Sequence, residues 1–298
     1  CIDLLIPVSE EFLTHVPGEK GGAQSIDIED INKIIAKSQQ MPIIATGGSC
    51  ANAIKGLASL GEKCALLSRI GIDALGEHFL QYMKKLGIVP LFSESDHPTA
   101  RVLCLITPDG QRTMRFYMGS NKEIPDQFLY PNYFKGVSLV HLDAYTLRNR
   151  NLTRQVMELA QDAGATISLD LSSFEIIKEY YDTLLELLTH YVDIVFANVD
   201  ETKGLTGADP LEGCLKLQDM CSVAVVLMGK QGCLVGHRGK TFQSPAFPAQ
   251  LIDTTGAGDL FASGFLFGYL NRYPLPICAR LGNRLGAAAV EVQGAELP

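Results

Sequence analysis

Seven consecutive residues late in the chain, Asp253-Thr254-Thr255-Gly256-Ala257-Gly258-Asp259, set an acid directly after three small residues and before a helical run, Leu260–Leu270. In that run Phe261, Phe265 and Tyr269 recur at packing intervals. Small residues let the backbone turn tightly into a helix. The N–H groups of Gly256, Ala257 and Gly258 would then face outward, with the positive end of the helix dipole behind them. Such a cradle suits a phosphate or a developing oxyanion. A carboxylate beside it is electrostatically out of place unless it handles a proton. Asp259 could take the proton of an attacking hydroxyl while the amides hold a phosphoryl group. The same residues also fit a glycine-rich turn with Asp259 as helix N-cap, and both readings stay open.

Four other places carry weaker chemical signals. Gly47-Gly48 would let a ligand approach the backbone, and Asn52 could donate to and accept from a hydroxyl. A turn with Asn52 on a solvated helix face fits equally. Asp3 lies among apolar residues, where a carboxylate needs partners, either ligand hydroxyls or a structural hydrogen bond. Gly71 to Gly76 reads first as a turn. Asn198 and Glu201 read on their own as a helix cap with an exposed Glu.

These residues need elements to position them. Strand-like runs alternate with helical periodicity: Met41–Ala45, a helix over Cys50–Leu60, Lys63–Arg69, a helix over Ala74–Leu86. The pattern resumes with strand Ser138–Leu142, helix Leu152–Ala163, strand Ala165–Asp170, helix Phe174–Leu188, strand Asp193–Ala197, helix Leu211–Met220 and strand Ser222–Leu227. Apolar strands alternating with helices predict an α/β chain with a mostly parallel sheet covered on both faces. Thr99–Thr107 and Arg112–Met118 flank Pro108-Asp109-Gly110-Gln111, which predicts a hairpin. With the irregular stretch before Met41, it suggests one domain, 1–298, with a small β lid from segments of about 7–40 and 88–119. Arg101, Leu103, Arg115 and Tyr117 are candidates for the lid's pocket wall.

Composition excludes several classes. With 47% hydrophobic and 19% charged residues in 298, disorder is not expected. A net charge of −8 argues against nucleic-acid binding. No apolar run is long enough to predict a membrane span. The eight scattered cysteines read as reduced thiols of a cytoplasmic protein. The chain opens inside a strand-like run, Cys1–Ile6, with no initiator Met or charged leader, so a few preceding residues are expected.

Taken in order, five segments give the chain a family likeness. Asp253–Asp259 resembles the C-terminal signature of the ribokinase (PfkB) family of carbohydrate and nucleoside kinases. Asp3, Gly47-Gly48-Ser49-Cys50-Ala51-Asn52, Gly71-Ile72-Asp73-Ala74-Leu75-Gly76 and Asn198-Val199-Asp200-Glu201 resemble its other motifs, and the hairpin resembles the lid of the adenosine-kinase-like branch. The resemblance implies a three-layer α/β/α ribokinase-like fold and ATP-dependent phosphorylation of a small sugar or nucleoside by a monomer or a homodimer joined through the lid. It assigns the transfer site to Gly256, Ala257, Gly258 and the base Asp259, and the acceptor to Asp3, Gly48 and Asn52. Asn198, Glu201, Gly229, Gly232 and Asn283 would serve the nucleotide, with Glu201 ordering Mg²⁺ through water. Carbonyls near Asp253 and Thr255, with backbone between Ala289 and Gly294, would hold a monovalent cation such as K⁺.

One departure stands out. The family's T-x-G-x-x-G nucleotide loop reads Leu227-Met228-Gly229-Lys230-Gln231-Gly232 here, so the usual hydroxyl is absent. That keeps alive a second function, a sugar- or nucleotide-binding protein without turnover. A dinucleotide-dependent dehydrogenase ranks last, since no G-x-G-x-x-G follows the first strand. No G-x-x-x-x-G-K-[ST] occurs either, which excludes a P-loop kinase.

Overall fold

The computed structural model describes residues 1–122, 128–292 and 294, which fall into two compact units, 1–124 and 125–298.

The first unit contains β1 (Ile2–Pro7), α1 (Glu10–Leu13), β2 (Ala23–Ser25), α2 (Ile28–Ser38), β3 (Ile43–Thr46), α3 (Ser49–Ser59), β4 (Ala65–Gly71), α4 (Ala74–Lys85), β5 (Val89–Ser95), β6 (Arg101–Ile106) and β7 (Arg112–Tyr117). Five strands form a mixed sheet in the order β2-β7-β6-β1-β3, and β4 and β5 pair separately in parallel. Ile2, Leu4 and Ile6 of β1 pack with Leu103, Leu105, Phe79 and Met83 in the core. The hairpin forms as its turn chemistry predicts. Asp109 Oδ1 accepts from Thr107 Oγ1 at 2.6 Å and from the Gln111 N–H at 3.0 Å, while Gly110 takes φ 80°.

The side chains expected to wall a pocket are committed elsewhere. Leu103 is core, and Tyr117 packs against that core. Arg101 meets Asp73 at 3.5 Å. Arg115, 1% exposed, donates to the carbonyls of Pro17 (2.6 Å), Gly22 (3.1 Å), Met114 (2.8 Å) and Glu19 (3.4 Å). A guanidinium has five fixed donors, so it can organise a loop that has no sheet partner.

The second unit contains β8 (Leu139–Asp143), α5 (Arg150–Asp162), β9 (Thr166–Asp170), α6 (Phe174–His190), β10 (Ile194–Asn198), α7 (Val199–Thr206), α8 (Pro210–Gln218), β11 (Val223–Leu227), β12 (Cys233–His237), β13 (Lys240–Ser244), α9 (Ala257–Leu270) and α10 (Leu275–Ala289). Its sheet runs β13-β12-β11-β10-β9-β8, parallel from β8 to β11 and antiparallel through β12 and β13. The central parallel strands β10 and β11 are apolar up to the end of β10, as strands covered on both faces are expected to be. The almost wholly buried α9 stacks Phe261 and Phe265 near Phe196. It lies close to α10 because both helices carry glycine at the contact. A Cβ on Gly264 would stand 2.5 Å from the Leu281 carbonyl oxygen, and one on Gly282 would stand 2.9 Å from the Phe261 ring.

None of the eight cysteines is in a disulfide. Among the described residues no helix is long and apolar enough to cross a membrane.

Candidate active site

In the second unit the parallel strands end in a row of polar positions. Asp143 closes β8 opposite Asp170 at the end of β9, and Asn198 closes β10 opposite Leu227 at the end of β11. Ligands of open α/β sheets bind outside these carboxyl ends.

α7 starts at once from Asn198, and the spacing of three builds a complete capping box. The Glu201 N–H donates to Asn198 Oδ1 (2.9 Å), while Glu201 Oε2 accepts from the Asn198 N–H (2.8 Å) and Oε1 from Asn198 Nδ2 (2.7 Å). The cap reading holds, but not with an exposed Glu. The pair is a cap, yet Glu201 is only 5% exposed. Burial pushes its carboxyl up to about 7, against the lowering effect of the Asn198 backbone N–H. Burial, then the charges of Glu201 and Asp259, hold Asp170 well above the ordinary carboxylate range. Three acids thus converge, and Asp170 is the one that sequence reasoning passed over.

α9 begins with Gly256 as N-cap in the left-handed region, φ 72°, and no side chain caps it. Asp259 lies inside the first turn, so the N-cap reading of that residue does not hold. The amide cradle is smaller than expected. The Ala257 N–H turns back to the Thr254 carbonyl at 3.2 Å. Gly258, at the second helical position, has no acceptor within the helix. Beside it is Leu227, whose Cδ1 would be 3.6 Å from a Cβ on Gly258.

The loop after β11 turns through Gly229 (φ 55°) and Gly232 (φ 87°). A Cβ on Gly232 would overlap the Ser244 carbonyl, so that glycine is needed for close packing as well as for its φ. A groove of about 860 Å³ lies against this loop, lined among others by Met228, Lys230, Gln231, Phe242 and Ala246. Asn283 is buried. Its amide donates to the Ser244 carbonyl and hydroxyl, both at 3.1 Å, tying α10 to β13 as a core-facing polar exception. Asp253 accepts from the Thr255 N–H (3.0 Å) and the Gly294 N–H (2.7 Å), so it draws together the two segments expected around a monovalent cation. Gln293, between them, lies outside the described residues.

In the first unit Asp3 sits on β1 opposite Ala45 of β3, and a Cβ on Gly47 would overlap its carboxylate. Gly48 takes φ 102° as N-cap of α3, which turns the chain so that Asn52, 4% exposed, follows one helical turn later. Lys55, 6% exposed on the same helix, is a second residue that sequence reasoning missed.

The Gly71–Gly76 motif is structural here. Asp73 caps α4, accepting from the Gly76 N–H (2.8 Å), and also from the Thr99 hydroxyl (2.6 Å) and N–H (2.8 Å). Burial alone would raise its carboxyl, but the Thr99 and Gly76 bonds hold it below the ordinary value. The stability it contributes is therefore present above the unfolded carboxylate pKa and is lost as pH falls through the lower folded value. Asp73→Ala should cost roughly 2 kcal/mol, the upper end of a cap deletion, and urea unfolding at neutral pH measures it.

Residues 30–298 match the pfkB family carbohydrate kinase model, and the chain belongs to that family. It is 28% identical over 266 residues to the 2-dehydro-3-deoxygluconokinase of Bacillus subtilis (strain 168), covering 83% of this chain and 81% of that protein. The aminoimidazole riboside kinase of Salmonella typhimurium is 25% identical, with 88% and 87% covered. The crystal structure of adenosine kinase from Sinorhizobium meliloti superposes with a TM-score of 0.90 at 29% identity, covering 100% of this chain and 93% of that one. The chain therefore has the ribokinase-like α/β fold and is a phosphotransferase of the sugar and nucleoside kinase class, acting on an alcohol group.

Proposed function

We propose that the chain transfers the γ-phosphate of ATP to a hydroxyl of a small sugar or nucleoside, with Asp259 as general base. The observation that carries this reading is the placing of Asp259 in the first turn of α9, directly after the Gly258 amide. Asp3, Gly48 and Asn52 hold the acceptor's other hydroxyls. Asp259 takes the proton of the attacking hydroxyl as its oxygen bonds to the γ-phosphorus. The bond to the β-phosphate oxygen breaks, and ADP leaves. The first-turn amides of α9 stabilise the charge on the transferring group.

Mg²⁺ fits the acids present. Among the described residues no cluster of three could ligate a metal directly, which suits an ion held by donor phosphates and water near Glu201 and Asp170. Such an ion would neutralise charge on the phosphates. Asp253, Thr255 and the backbone about Gly294 suit a monovalent cation such as K⁺. The Gly229–Gly232 loop takes the donor phosphates, and the groove beside it takes the rest of the nucleotide. The unbridged cysteines fit a reducing compartment such as the cytoplasm.

A panel of ribose, fructose, adenosine, inosine and 2-dehydro-3-deoxygluconate with ATP–Mg²⁺, followed by ADP release, tests the reading. ATP binding with no turnover on any of them would favour the second reading, a binding protein, for which the apolar Leu227 speaks. Leu227→Thr places a hydroxyl next to Gly258. A neutral hydrogen bond of ~1 kcal/mol should lower the KM for ATP several-fold and leave the acceptor KM unchanged. An unchanged ATP KM would mean that another group already makes this contact.

A further inference from the structure

The acceptor-side unit buries a lysine that none of the motifs explains. Lys55 is on α3, one turn beyond Asn52, and is 6% exposed. Its Nζ donates to the Thr46 carbonyl at 2.8 Å and to the Thr46 hydroxyl at 3.2 Å. Thr46 ends β3 and is followed by Gly47, whose missing side chain makes room for the Asp3 carboxylate. The Gly47 N–H is itself tied to the Cys1 carbonyl at 3.0 Å. The lysine therefore fastens the short turn against which Asp3 rests. An ammonium is costly to bury unless it is hydrogen-bonded and offset by an opposite charge. Thr46 supplies the hydrogen bonds. Burial holds the Asp3 carboxyl above the ordinary carboxylate value, and the nearby charge of Lys55 acts against that rise.

We infer that Lys55 is a positioning residue for acceptor binding: its ammonium pins the Thr46–Gly47 turn against which the Asp3 carboxylate rests and brings a positive charge to that carboxylate. The inference rests on the reading of Asp3 as a partner of acceptor hydroxyls. A carboxylate accepts from two hydroxyls at once, and its neutral acid form does so less well. Arg112 of β7 also acts on Asp3, and the Cys1 thiol lies 4.0 Å from its Oδ1. Through its bonds to Thr46, Lys55 joins its charge to the turn.

The test is a titration of the unliganded full chain carrying ¹³C-labelled aspartate carboxyls, with the Asp3 signal assigned by its loss in Asp3→Asn. In Lys55→Met the Asp3 midpoint should rise by about one unit or more, the usual effect of removing a nearby opposite charge, while Lys55→Arg should leave it near the wild-type value. With adenosine as acceptor, the acceptor KM of Lys55→Met should rise ~10-fold at neutral pH, and more at acid pH, with the ATP KM unchanged. Should Lys55→Met not fold, Lys55→Gln decides in the same titration. An Asp3 midpoint that stays put in the neutral variant would overturn the inference, as would equal rises in both KM values. If Asp3→Asn itself leaves every acceptor KM unchanged while Lys55→Met still moves the midpoint, the acceptor reading fails and the coupling of Lys55 to Asp3 stands.

Discussion

Asp259→Asn should lower kcat by ~10²–10⁴-fold, the contribution of a positioned general base, with little change in acceptor Kd or melting temperature. The alcohol proton is far too tightly held to leave unaided at neutral pH. A carboxylate can accept it as the oxygen–phosphorus bond forms, whereas a carboxamide of the same shape cannot. Stability should hold because Gly256, not Asp259, is the N-cap of α9, and the carboxamide keeps the shape of the side chain. The substitution also removes one of the charges that raise Asp170. Measuring kcat by ADP release, acceptor Kd by calorimetry and melting temperature on one sample separates chemistry from folding. A folded variant with near-normal kcat would take Asp259 out of the mechanism.

Gly47→Ala should raise the acceptor KM by ~10- to 100-fold, the equivalent of losing one charged hydrogen bond of about 1.5–3 kcal/mol. The argument is steric. The new methyl would occupy the space of the Asp3 carboxylate, which must swing away from its place opposite Ala45. The ATP KM should not follow, because the donor loop belongs to the other compact unit. Parallel increases in both constants, or none, would show that Asp3 does not hold the acceptor.

Much of this was legible in the residues. Periodicity predicted most strands and helices of both units because apolar runs of period 2 and 3.6 are separated by glycine and polar turns. Pro108-Asp109-Gly110 marked the β6–β7 hairpin through a local hydrogen bond that needs no tertiary partner. A second hairpin went unread although its signal was present. β12 and β13 are joined by Arg238-Gly239, with φ 51° and 70°, the left-handed pair that two-residue turns require. β5 was masked by Pro90, which cannot donate to a ladder and so argues against a strand.

The site divides in the same way. Asp259, Glu201 and Asn198 announce themselves because their roles depend on neighbours within three residues. Lys55 does not. On an amphipathic helix a lysine reads as a solvated face, and only the fold brings Thr46 over it. Asp170 is one acid at the end of one strand. Its environment is made by Glu201 and Asp259, far along the chain. Arg101 and Arg115 misled for the converse reason. Their position on a hairpin suggested a pocket, while Asp73 and a set of backbone carbonyls claimed them.

The close contact of α9 with α10 makes the aim of the proposed base, Asp259, a property of the whole helix pair. Asp259 rides on a helix whose seat is set at Gly264 and Gly282, one and a half turns and more away. A methyl at either glycine would have to lift or tilt α9 against a backbone carbonyl or a phenyl ring, neither of which can fold away. A shift of about 1 Å at a reacting group can cost ~10²-fold in rate. On the proposed mechanism, alignment of the base is therefore stored in two positions of the helix contact, and drift there would blunt turnover before it loosened the fold.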